Sequence, residues 1–154
     1  MNKQLHLIPP TPENSGRVDI NYLTNNGTHA FLFKPKDLVQ FETAWNWQAR
    51  WMEKLVLDPS SAQAVWLLEH CFCYTIGRGG NKENLLFDIN KSSSDFYCIN
   101  RGGDVTCHLQ GQLVVYLVLD LRRYRTDLHW YLRELEQVVI DLLKMLDLNG
   151  ERID

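Results

Sequence analysis

The sequence predicts a mixed α/β domain of the α+β kind, in which helices cover a mixed sheet. Two amphipathic helical patterns flank a series of short runs rich in β-branched and aromatic residues, which are typical of strands. The chain has 154 residues, of which 45% are apolar and 11% aromatic. That composition allows one sizeable core but hardly two, so we expect a single domain.

The first helical pattern precedes the strand-like runs. Asp37 and Gln40 have the spacing of a capping box at a helix start. Apolar residues then recur with a nearly helical period, at Leu38, Phe41, Trp45, Met52, Leu55 and Val56. Trp47 and Trp51 fall on a neighbouring stripe, so we expect a helix that is apolar over a wide arc and packs against a sheet. The segment Asp58-Pro59-Ser60 ends it.

Four runs after this helix have the composition of strands, and they cover residues 64–68, 72–76, 96–99 and 113–121. The last run is apolar nearly throughout. Such a run favours a central strand that is covered on both faces over a half-exposed hairpin arm.

A second helix is expected after these strands. Thr126 or Asp127 can serve as its N-cap, and Asn149-Gly150 is predicted to end it. Its apolar residues lie along one face, at Leu128, Leu132, Leu135, Val139, Leu142 and Leu146. We expect this face to pack in the core.

Residues 1–28 are expected to be a mobile leader, and residues 29–154 to belong to one domain. The leader contains Pro9, Pro10 and Pro12, and it shows little periodic hydrophobicity. It carries no readable transit or signal peptide, since Glu13 and Asp19 interrupt any basic, serine-rich pattern.

Charge and composition exclude several classes of function. A formal net charge of −3 offers no global basic field for a nucleic-acid backbone. The longest apolar run, residues 113–119, is far shorter than the roughly 20 residues that a membrane-spanning helix needs. Four cysteines in a chain without a secretory signal indicate reduced thiols. We therefore expect neither a nucleic-acid partner nor a membrane.

Two glycine-containing loops, residues 77–84 and 101–108, each follow a predicted strand. Such loops allow backbone amides to approach a ligand closely. Neither matches a Walker A loop, and Lys82 stands where the dinucleotide pattern requires its third glycine. Spacing alone leaves two ordinary tight turns as the simplest interpretation.

A resemblance to a known family rests on five ordered segments, which are residues 67–70 (LLEH), 74–78 (YTIGR), 84–86 (NLL), 101–108 (RGGDVTCH) and 111–116 (GQLVVY). With these segments the chain resembles the octanoyltransferases, also called lipoate-protein ligase B, from about Ala44 to Arg152. The pattern RGG-x-V-T-x-H-x-x-GQ-x-V-x-Y is its most specific part. His108-Leu109, together with residues 126–133 (TDLHWYLR), looks like the plastid and cyanobacterial branch.

The resemblance implies a fold of the biotin and lipoate protein ligase type and a transferase without cofactor or metal. Such an enzyme takes the octanoyl group of octanoyl-acyl carrier protein onto its own cysteine. It then passes the group to a lysine of a lipoyl domain, in 2-oxoacid dehydrogenases or in the glycine cleavage H protein. A nearby lysine favours the reactive thiolate. The implied location is the plastid stroma in a plant or the cytoplasm in a cyanobacterium.

In that family the catalytic cysteine and lysine both lie downstream of the matched stretch. We therefore expect this chain to be the N-terminal portion of the catalytic domain, with a fold that is incomplete at its C-terminus and without either catalytic residue. Two alternatives stay open. The chain can be a binding protein that holds an acyl group without transferring it, or an ATP-dependent lipoate or biotin ligase, since those ligases share the architecture and an Arg-Gly-Gly loop.

The resemblance also implies an acyl pocket, lined by Arg101, Gly102, Gly103, Asp104, Val105, Thr106, Cys107 and His108. Arg101 is expected to be an exposed loop residue that contributes little to stability. Two positions depart from the family pattern. Cys107 stands where tyrosine or histidine is frequent, and Gln110 replaces the usual proline, which loosens the loop.

Cys107 is the best candidate nucleophile among the cysteines present, because His108 and Arg101 nearby would favour a thiolate. Against it, neighbouring residues of an extended chain point to opposite sides. A metal site is disfavoured, because Cys71 and Cys73 lack the spacing of zinc ligands.

One further histidine and a run of arginines complete the candidate residues. His70 is expected to form hydrogen bonds at a strand end or to be part of the pocket wall. The arginines Arg122, Arg123 and Arg125 form a basic cluster that can attract an acidic carrier protein or be a solvated helix entrance.

Overall fold

The computed structural model describes residues 18–25, 28–87 and 94–153, with side chains from residue 29 onward. In chain order its strands and α-helices are β1 (Val18–Asn25), β2 (Thr28–Pro35), α1 (Phe41–Leu57), β3 (Gln63–Leu68), β4 (Cys73–Ile76), β5 (Asp95–Cys98), β6 (Val105–His108), β7 (Val114–Val118) and α2 (Leu128–Met145). The chain divides into two compact units after Leu119. Among the described residues no helix is long and apolar enough to cross a lipid bilayer.

The first unit contains two mixed sheets. The larger sheet has the order β1-β2-β3-β7, in which only β2 and β3 run parallel, and the smaller has the order β5-β4-β6. In the smaller sheet β4 is parallel to β5 and antiparallel to β6. The predicted fold class is confirmed, although the strands form two mixed sheets where the sequence predicted one.

The core of the first unit lies between α1 and one face of the larger sheet. Period-two alternation places Phe33 of β2, Trp66 of β3 and Tyr116 of β7 side by side on that face. Phe33 and Trp66 stack at 5.4 Å between ring centroids, and Trp51 of α1 meets both edge-on. The Trp51 indole N–H donates to the Ala62 carbonyl at 2.9 Å, which satisfies its one polar atom.

Helix α1 begins later than predicted and buries only part of the predicted stripe. Gln40 is its N-cap and makes no side-chain capping bond, so the predicted capping box is wrong. The buried residues are Phe41, Ala44, Trp47, Trp51 and Leu55. Trp45, Met52 and Val56 of the predicted stripe are 40% to 73% exposed. The buried face is therefore centred on the neighbouring stripe of Trp47 and Trp51, whose indole rings pack in the core.

Two predictions about strands are wrong. The segment 105–108, predicted to be part of a loop, forms β6, because its backbone pairs with β4 from Val105 to His108. Strand β7 is shorter than predicted and is not central: it ends the four-stranded order, and among the described residues it pairs with β3 alone. An apolar run does not distinguish a central strand from an end strand with one packed face.

Part of the predicted leader is a strand. Residues 18–25 pair in antiparallel register with β2, from Val18 opposite Pro35 to Asn25 opposite Thr28. The alternation of apolar and polar residues in Val18-Asp19-Ile20-Asn21-Tyr22 is a strand signal that sequence reasoning missed. The prolines near the start of the chain and the Asn26-Gly27 pair lie outside the described residues. The division into a leader and one domain stays a prediction.

The second unit is built on α2. Asp127 is its N-cap, as predicted, and its carboxylate accepts the Trp130 backbone N–H at 3.0 Å. The helix ends at Met145, four residues before the predicted Asn149-Gly150. The chain turns there because Asp147 adopts a φ of 57° and the Leu148 N–H donates to the Leu143 carbonyl.

The apolar face predicted for the second helix is largely exposed. None of the residues of α2 is buried in this structure, and the exposed members of the predicted face are Leu128, Leu132, Val139, Leu142 and Leu146. The prediction of core packing is therefore wrong for these positions. Helical periodicity identifies an apolar stripe but not what covers it.

The core geometry predicts different costs for two tryptophans of α1. Trp51→Ala should lower the free energy of unfolding by about 3–5 kcal/mol, because it removes a buried ring from the contacts with Phe33 and Trp66. Trp45→Ala should cost about 1 kcal/mol or less, because Trp45 is 40% exposed. Urea unfolding of both variants measures the difference. Equal costs would contradict the assignment of the buried face.

Candidate functional site

The two glycine-containing loops are joined at Gly77. A Cβ at this position would lie 2.4 Å from the Gly103 carbonyl oxygen and 2.8 Å from those of Arg101 and Gly102. The Arg78 backbone N–H donates to the Arg101 carbonyl at 2.9 Å. Only glycine allows the two chains to approach this closely, so Gly77 fixes one loop upon the other.

Asp104 ties the same loops together at a second point. Its carboxylate accepts the Asn81 backbone N–H at 3.1 Å and the Asn84 side-chain amide. Gly103 just before it has a φ of 82°, a left-handed conformation that favours glycine. Residues 101–104 are thus held in a defined shape although Gly102, Gly103 and Asp104 are exposed.

Arg101 is half-buried, which corrects the expectation of an exposed loop arginine. Its guanidinium donates to the hydroxyl oxygens of Thr75 on β4, at 2.9 Å, and Thr106 on β6, at 2.8 Å. It also donates to the Gly102 carbonyl at 2.9 Å. The positive charge is therefore fixed on one face of the smaller sheet, and removing the side chain would leave Thr75, which is fully buried, without this donor.

Strand register decides which residues share that face. Thr75 lies opposite Thr106, and Cys73 lies opposite His108. We call the face that carries these side chains the inner face. The ring of Phe41 from α1 lies over it, 5.0 Å from Tyr97 and 5.9 Å from His108 between centroids.

His70 connects the inner face to the larger sheet. The side chain is fully buried. Its Nδ1 lies 2.8 Å from the Val39 carbonyl oxygen and its Nε2 lies 2.8 Å from the Tyr116 hydroxyl. A carbonyl only accepts, so Nδ1 carries the proton and Tyr116 donates to Nε2. The expectation that His70 forms hydrogen bonds at a strand end is confirmed.

The two histidines of this region are both held neutral. The ring centroids of His70 and His108 lie 5.0 Å apart, and the Nδ1 atom of His108 lies 3.0 Å from Oε1 of Gln112. Burial lowers the pKa of His70, and the nearby His108 lowers it further against the opposing Val39 hydrogen bond. Burial also lowers the pKa of His108, where the Arg101 charge acts in the same direction. Burial raises the pKa of the Tyr116 hydroxyl to about 12, so it stays a donor.

Cys107 points away from these groups. It lies opposite Tyr74 in the β4–β6 register, on the other face of β6 from His108 and Thr106. The Tyr74 hydroxyl has a raised pKa, first through desolvation and then through its hydrogen bond to Cys107. The cations that would favour a thiolate therefore do not face Cys107. Cys73 does share the inner face, but burial raises the pKa of its thiol to about 11, which keeps it protonated and unreactive.

The stretch 101–108 thus does not form one continuous surface. Residues 102–104 are an exposed loop, while Thr106 and His108 lie on the inner face and Val105 and Cys107 lie on the opposite face. Among the residues that the structure describes, no group of three or more His, Cys, Asp or Glu is placed to hold a metal ion.

An open cavity lies beside the joined loops, at the carboxyl ends of the parallel strands β4 and β5. Its volume is ≈ 410 Å³, and its wall is formed by Ile76, Gly77, Arg78, Gly80, Lys82, Cys98, Ile99 and Asn100. In open α/β sheets, the carboxyl ends of parallel strands are where ligands commonly bind. Sequence reasoning singled out the first glycine loop, whose backbone amides can approach a ligand and whose Arg78 and Lys82 can extend the basic cluster, but it did not predict this cavity.

The predicted basic cluster in the second unit is largely neutralised. Arg122 donates twice to the carboxylate of Asp120, both at 2.8 Å, and Arg123 lies 3.9 Å from it. Arg125 lies 2.8 Å from Asp127. Three arginines against two aspartates leave one net positive charge. The hydrogen bond from Arg122 holds the pKa of Asp120 below its ordinary value, so the pairing persists at neutral pH.

Sequence reasoning assigned no role at the site to three residues that organise the inner face: Thr75, Tyr116 and Phe41. Each had a weak local signal. Thr75 and Tyr116 are the polar members of otherwise apolar strands, and a buried hydroxyl requires a partner. Glu69 entered the sequence argument only as part of a motif, yet its carboxylate accepts the Gly111 backbone N–H at 2.7 Å and fixes the turn before β7.

The loop contact predicts an effect at one glycine that its neighbour does not share. Gly77→Ala should lower the free energy of unfolding by about 1–3 kcal/mol or more, since backbone carbonyls stand where the methyl group would go. Gly79→Ala is the matched control, because nothing lies within 4 Å of a Cβ there, and it should stay within about 0.5 kcal/mol of the parent. Urea unfolding checks both, and equal effects would mean that the loops are not in contact.

The neutral histidines predict a pH dependence of stability. In the folded chain both pKa values lie below 6.5, so between those values and 6.5 the unfolded chain binds more protons. Their contribution to the free energy of unfolding is therefore complete above pH 6.5 and is lost as the pH falls through the lowered pKa values. Unfolding measured between about pH 7.5 and about pH 5.5 should show a smaller slope for His108→Gln. A slope in His108→Gln equal to that of the parent would refute the assignment.

Comparison with known proteins gives a family for this arrangement. Residues 40–154 match the lipoyl protein ligase A/B catalytic domain. An octanoyltransferase of Prochlorococcus marinus strain MIT 9211 is 54% identical over 154 residues, which is 100% of this chain and 66% of the relative. The octanoyltransferase of Prochlorococcus marinus strain SARG is 61% identical over 135 residues, 88% of this chain and 60% of the relative. That of Synechococcus sp. strain WH7803 is 51% identical over 93% of this chain and 60% of its own length.

These matches also show how much of each relative's length the chain covers. The chain spans between 60% and 66% of the length of the three curated relatives. The family match begins at the N-cap of α1 and includes every residue of the joined loops and the inner face. The chain therefore belongs to the lipoyl protein ligase A/B catalytic domain family.

Proposed function

We propose that this chain is the acyl-binding portion of an octanoyltransferase that acts in protein lipoylation. The observation that carries the proposal is the Arg101 guanidinium, fixed by the hydroxyls of Thr75 and Thr106 at the point where the two glycine loops meet. A fixed cation beside exposed backbone suits the polar end of an acyl thioester. The octanoyltransferase relatives, which are 51% to 61% identical, support the choice of acyl group.

The loop geometry indicates how the thioester end is held. At Gly102 nothing lies within 4 Å of the position that a Cβ would occupy, so a ligand can reach the backbone there. The Arg101 bond to the Gly102 carbonyl keeps that carbonyl turned toward the protein. Because the loop is already held in this shape, little conformational entropy is lost when the acyl group binds. Because the pKa values of His108 and His70 are lowered, neither ring adds a positive charge to that of Arg101 at neutral pH.

The transfer itself needs a thiolate and an acceptor amine. The thiolate attacks the thioester carbonyl and the carrier sulfur leaves as a thiolate. The neutral lysine amine of the lipoyl domain then attacks the enzyme thioester, the enzyme sulfur leaves as a thiolate, and the proton of the new amide nitrogen is taken up by one of the thiolates. The proposed donor is octanoyl-acyl carrier protein, and the proposed acceptors are lipoyl domains. Because Cys73 is protonated and Cys107 faces away from the cations, we propose that neither is the acylated cysteine.

The compared relatives come from cyanobacteria, which supports a cytoplasmic location over the plastid alternative. The non-transferring binding protein and the ATP-dependent ligase stay distinct outcomes of experiment. Binding of octanoyl-acyl carrier protein without transfer by any longer form would favour the first. A requirement for ATP would favour the second.

The proposal predicts that Arg101→Ala weakens octanoyl-acyl carrier protein binding by about tenfold or more, the effect of losing a charged hydrogen-bonding group. It should also lower the free energy of unfolding by about 1–3 kcal/mol, because buried Thr75 loses its donor. Arg50→Ala, at an exposed position of α1, is the control for charge and should change neither quantity. Binding is measured by calorimetry, with urea unfolding of the same preparations.

Intact-mass analysis after incubation with octanoyl-acyl carrier protein completes the test. We expect no octanoyl adduct on the 154-residue chain that depends on Cys107. An adduct that disappears in Cys107→Ser would refute the assignment of Cys107 as a structural thiol. Equal affinity of the parent chain and Arg101→Ala would refute the proposed acyl site.

A further inference from the structure

The open cavity beside the joined loops is not part of the inner face and has a different character. Its wall contains two cationic side chains, Arg78 and Lys82, both on exposed residues of the first glycine loop. No acidic residue is among the eight that form the wall. The remaining wall is apolar or carries no charge. The cavity therefore combines positive charge with an apolar floor.

Two carboxylates of the loops lie outside the cavity wall. Asp104 lies next to Gly80, and its two oxygens accept the Asn81 backbone N–H and the Asn84 amide. The carboxylate of Glu83 accepts the Asn81 side-chain amide at 3.1 Å. Both acids are held by the loop's own amide groups, so the charged groups that line the cavity are the cations Arg78 and Lys82, which suit an anion.

The frame of the cavity is fixed on both sides. Gly77 is held against the carbonyls of residues 101–103, and the Gly80 N–H donates to the Gly77 carbonyl at 3.1 Å. On the β5 side, the Ile99 N–H donates to the Ile76 carbonyl at 2.9 Å. Backbone anchored in this way fixes the positions from which the two cationic side chains extend, so less backbone entropy is lost when an anion binds.

We propose that this cavity binds the phosphate group of the pantetheine arm that carries the octanoyl thioester. The inference rests on the proposed function. In such an arm a phosphodiester is followed by a carbon with two methyl groups and then by an amide chain that ends in the thioester. The two cations match the phosphodiester, and Ile76 and Ile99 match the methyl groups.

The cavity and the loop proposed for the acyl thioester meet at Gly77. This residue belongs to the cavity wall and also touches the backbone of Arg101, Gly102 and Gly103. The phosphate and the thioester are the two ends of the arm, so the flexible amide chain between them has to bend over the joined loops for both ends to bind. A volume of ≈ 410 Å³ holds a phosphate with its neighbouring methyl-bearing carbon, within the usual range of small-ligand sites.

The test compares two small octanoyl thioesters that differ only in phosphate, octanoyl-phosphopantetheine and octanoyl-pantetheine. Calorimetry on the full chain should give about tenfold tighter binding for the phosphorylated compound, and this advantage should shrink as salt is raised. Arg78→Gln and Lys82→Gln should each remove most of it and leave the affinity for octanoyl-pantetheine unchanged. Arg50→Gln and Lys34→Gln, exposed cations elsewhere in the first unit, should keep it.

Other results would overturn the inference in distinguishable ways. Equal affinity for the two thioesters, in the parent and in both cavity variants, would refute the phosphate site while the acyl site stands. Failure of both thioesters to bind would refute the proposed function together with the inference. ATP or inorganic phosphate binding more tightly than octanoyl-phosphopantetheine, with loss in Arg78→Gln, would assign the cavity to a nucleotide or free phosphate.

Discussion

The pair of hydrogen bonds made by the buried His70 ring is the constraint on which the first unit depends. One bond reaches Val39, which precedes α1, and the other reaches Tyr116 in the sheet that α1 covers. The same ring lies 5.0 Å from His108 of the smaller sheet. A fully buried imidazole must satisfy both nitrogens, so helix, larger sheet and smaller sheet are held to one geometry. Burial then keeps the ring neutral, as its lowered pKa indicates.

Arg101 links the inner face to the two glycine-containing loops. Its bonds to Thr75 and Thr106 bind the two strands on which His108 and Cys73 stand, and its backbone carbonyl receives the Arg78 N–H. Arg101, which the family motif assigns to the acyl pocket, therefore also stabilises the fold. Arg101→Ala is therefore expected to weaken binding and stability together, and Arg50, an exposed arginine of α1, is the reference for charge alone.

The sequence predicted the elements whose signals are local. The N-cap at Asp127 and the strands around Ala64 and Tyr74 follow from capping chemistry and from runs of β-branched and aromatic residues. It did not predict which stripe of α1 is buried, because that depends on Phe33 and Trp66 arriving from strands distant in sequence. Nor did it separate Cys107 from His108, since a loop was expected where the register with β4 makes a strand.

The site shows the same division. The motif at residues 101–108 was sufficient to indicate an important segment, but its chemistry is determined by partners on β4 and by Gly77, which no spacing within the motif reveals. Strand β4 separates two environments of the same small sheet. His108 lies opposite Cys73 at the start of β4, where burial lowers the histidine pKa. Gly77, Arg78 and Lys82 follow the other end of β4, where the two cations line an open cavity and are exposed to solvent. The length of β4 therefore allows a buried neutral site and an exposed cationic one to belong to one sheet.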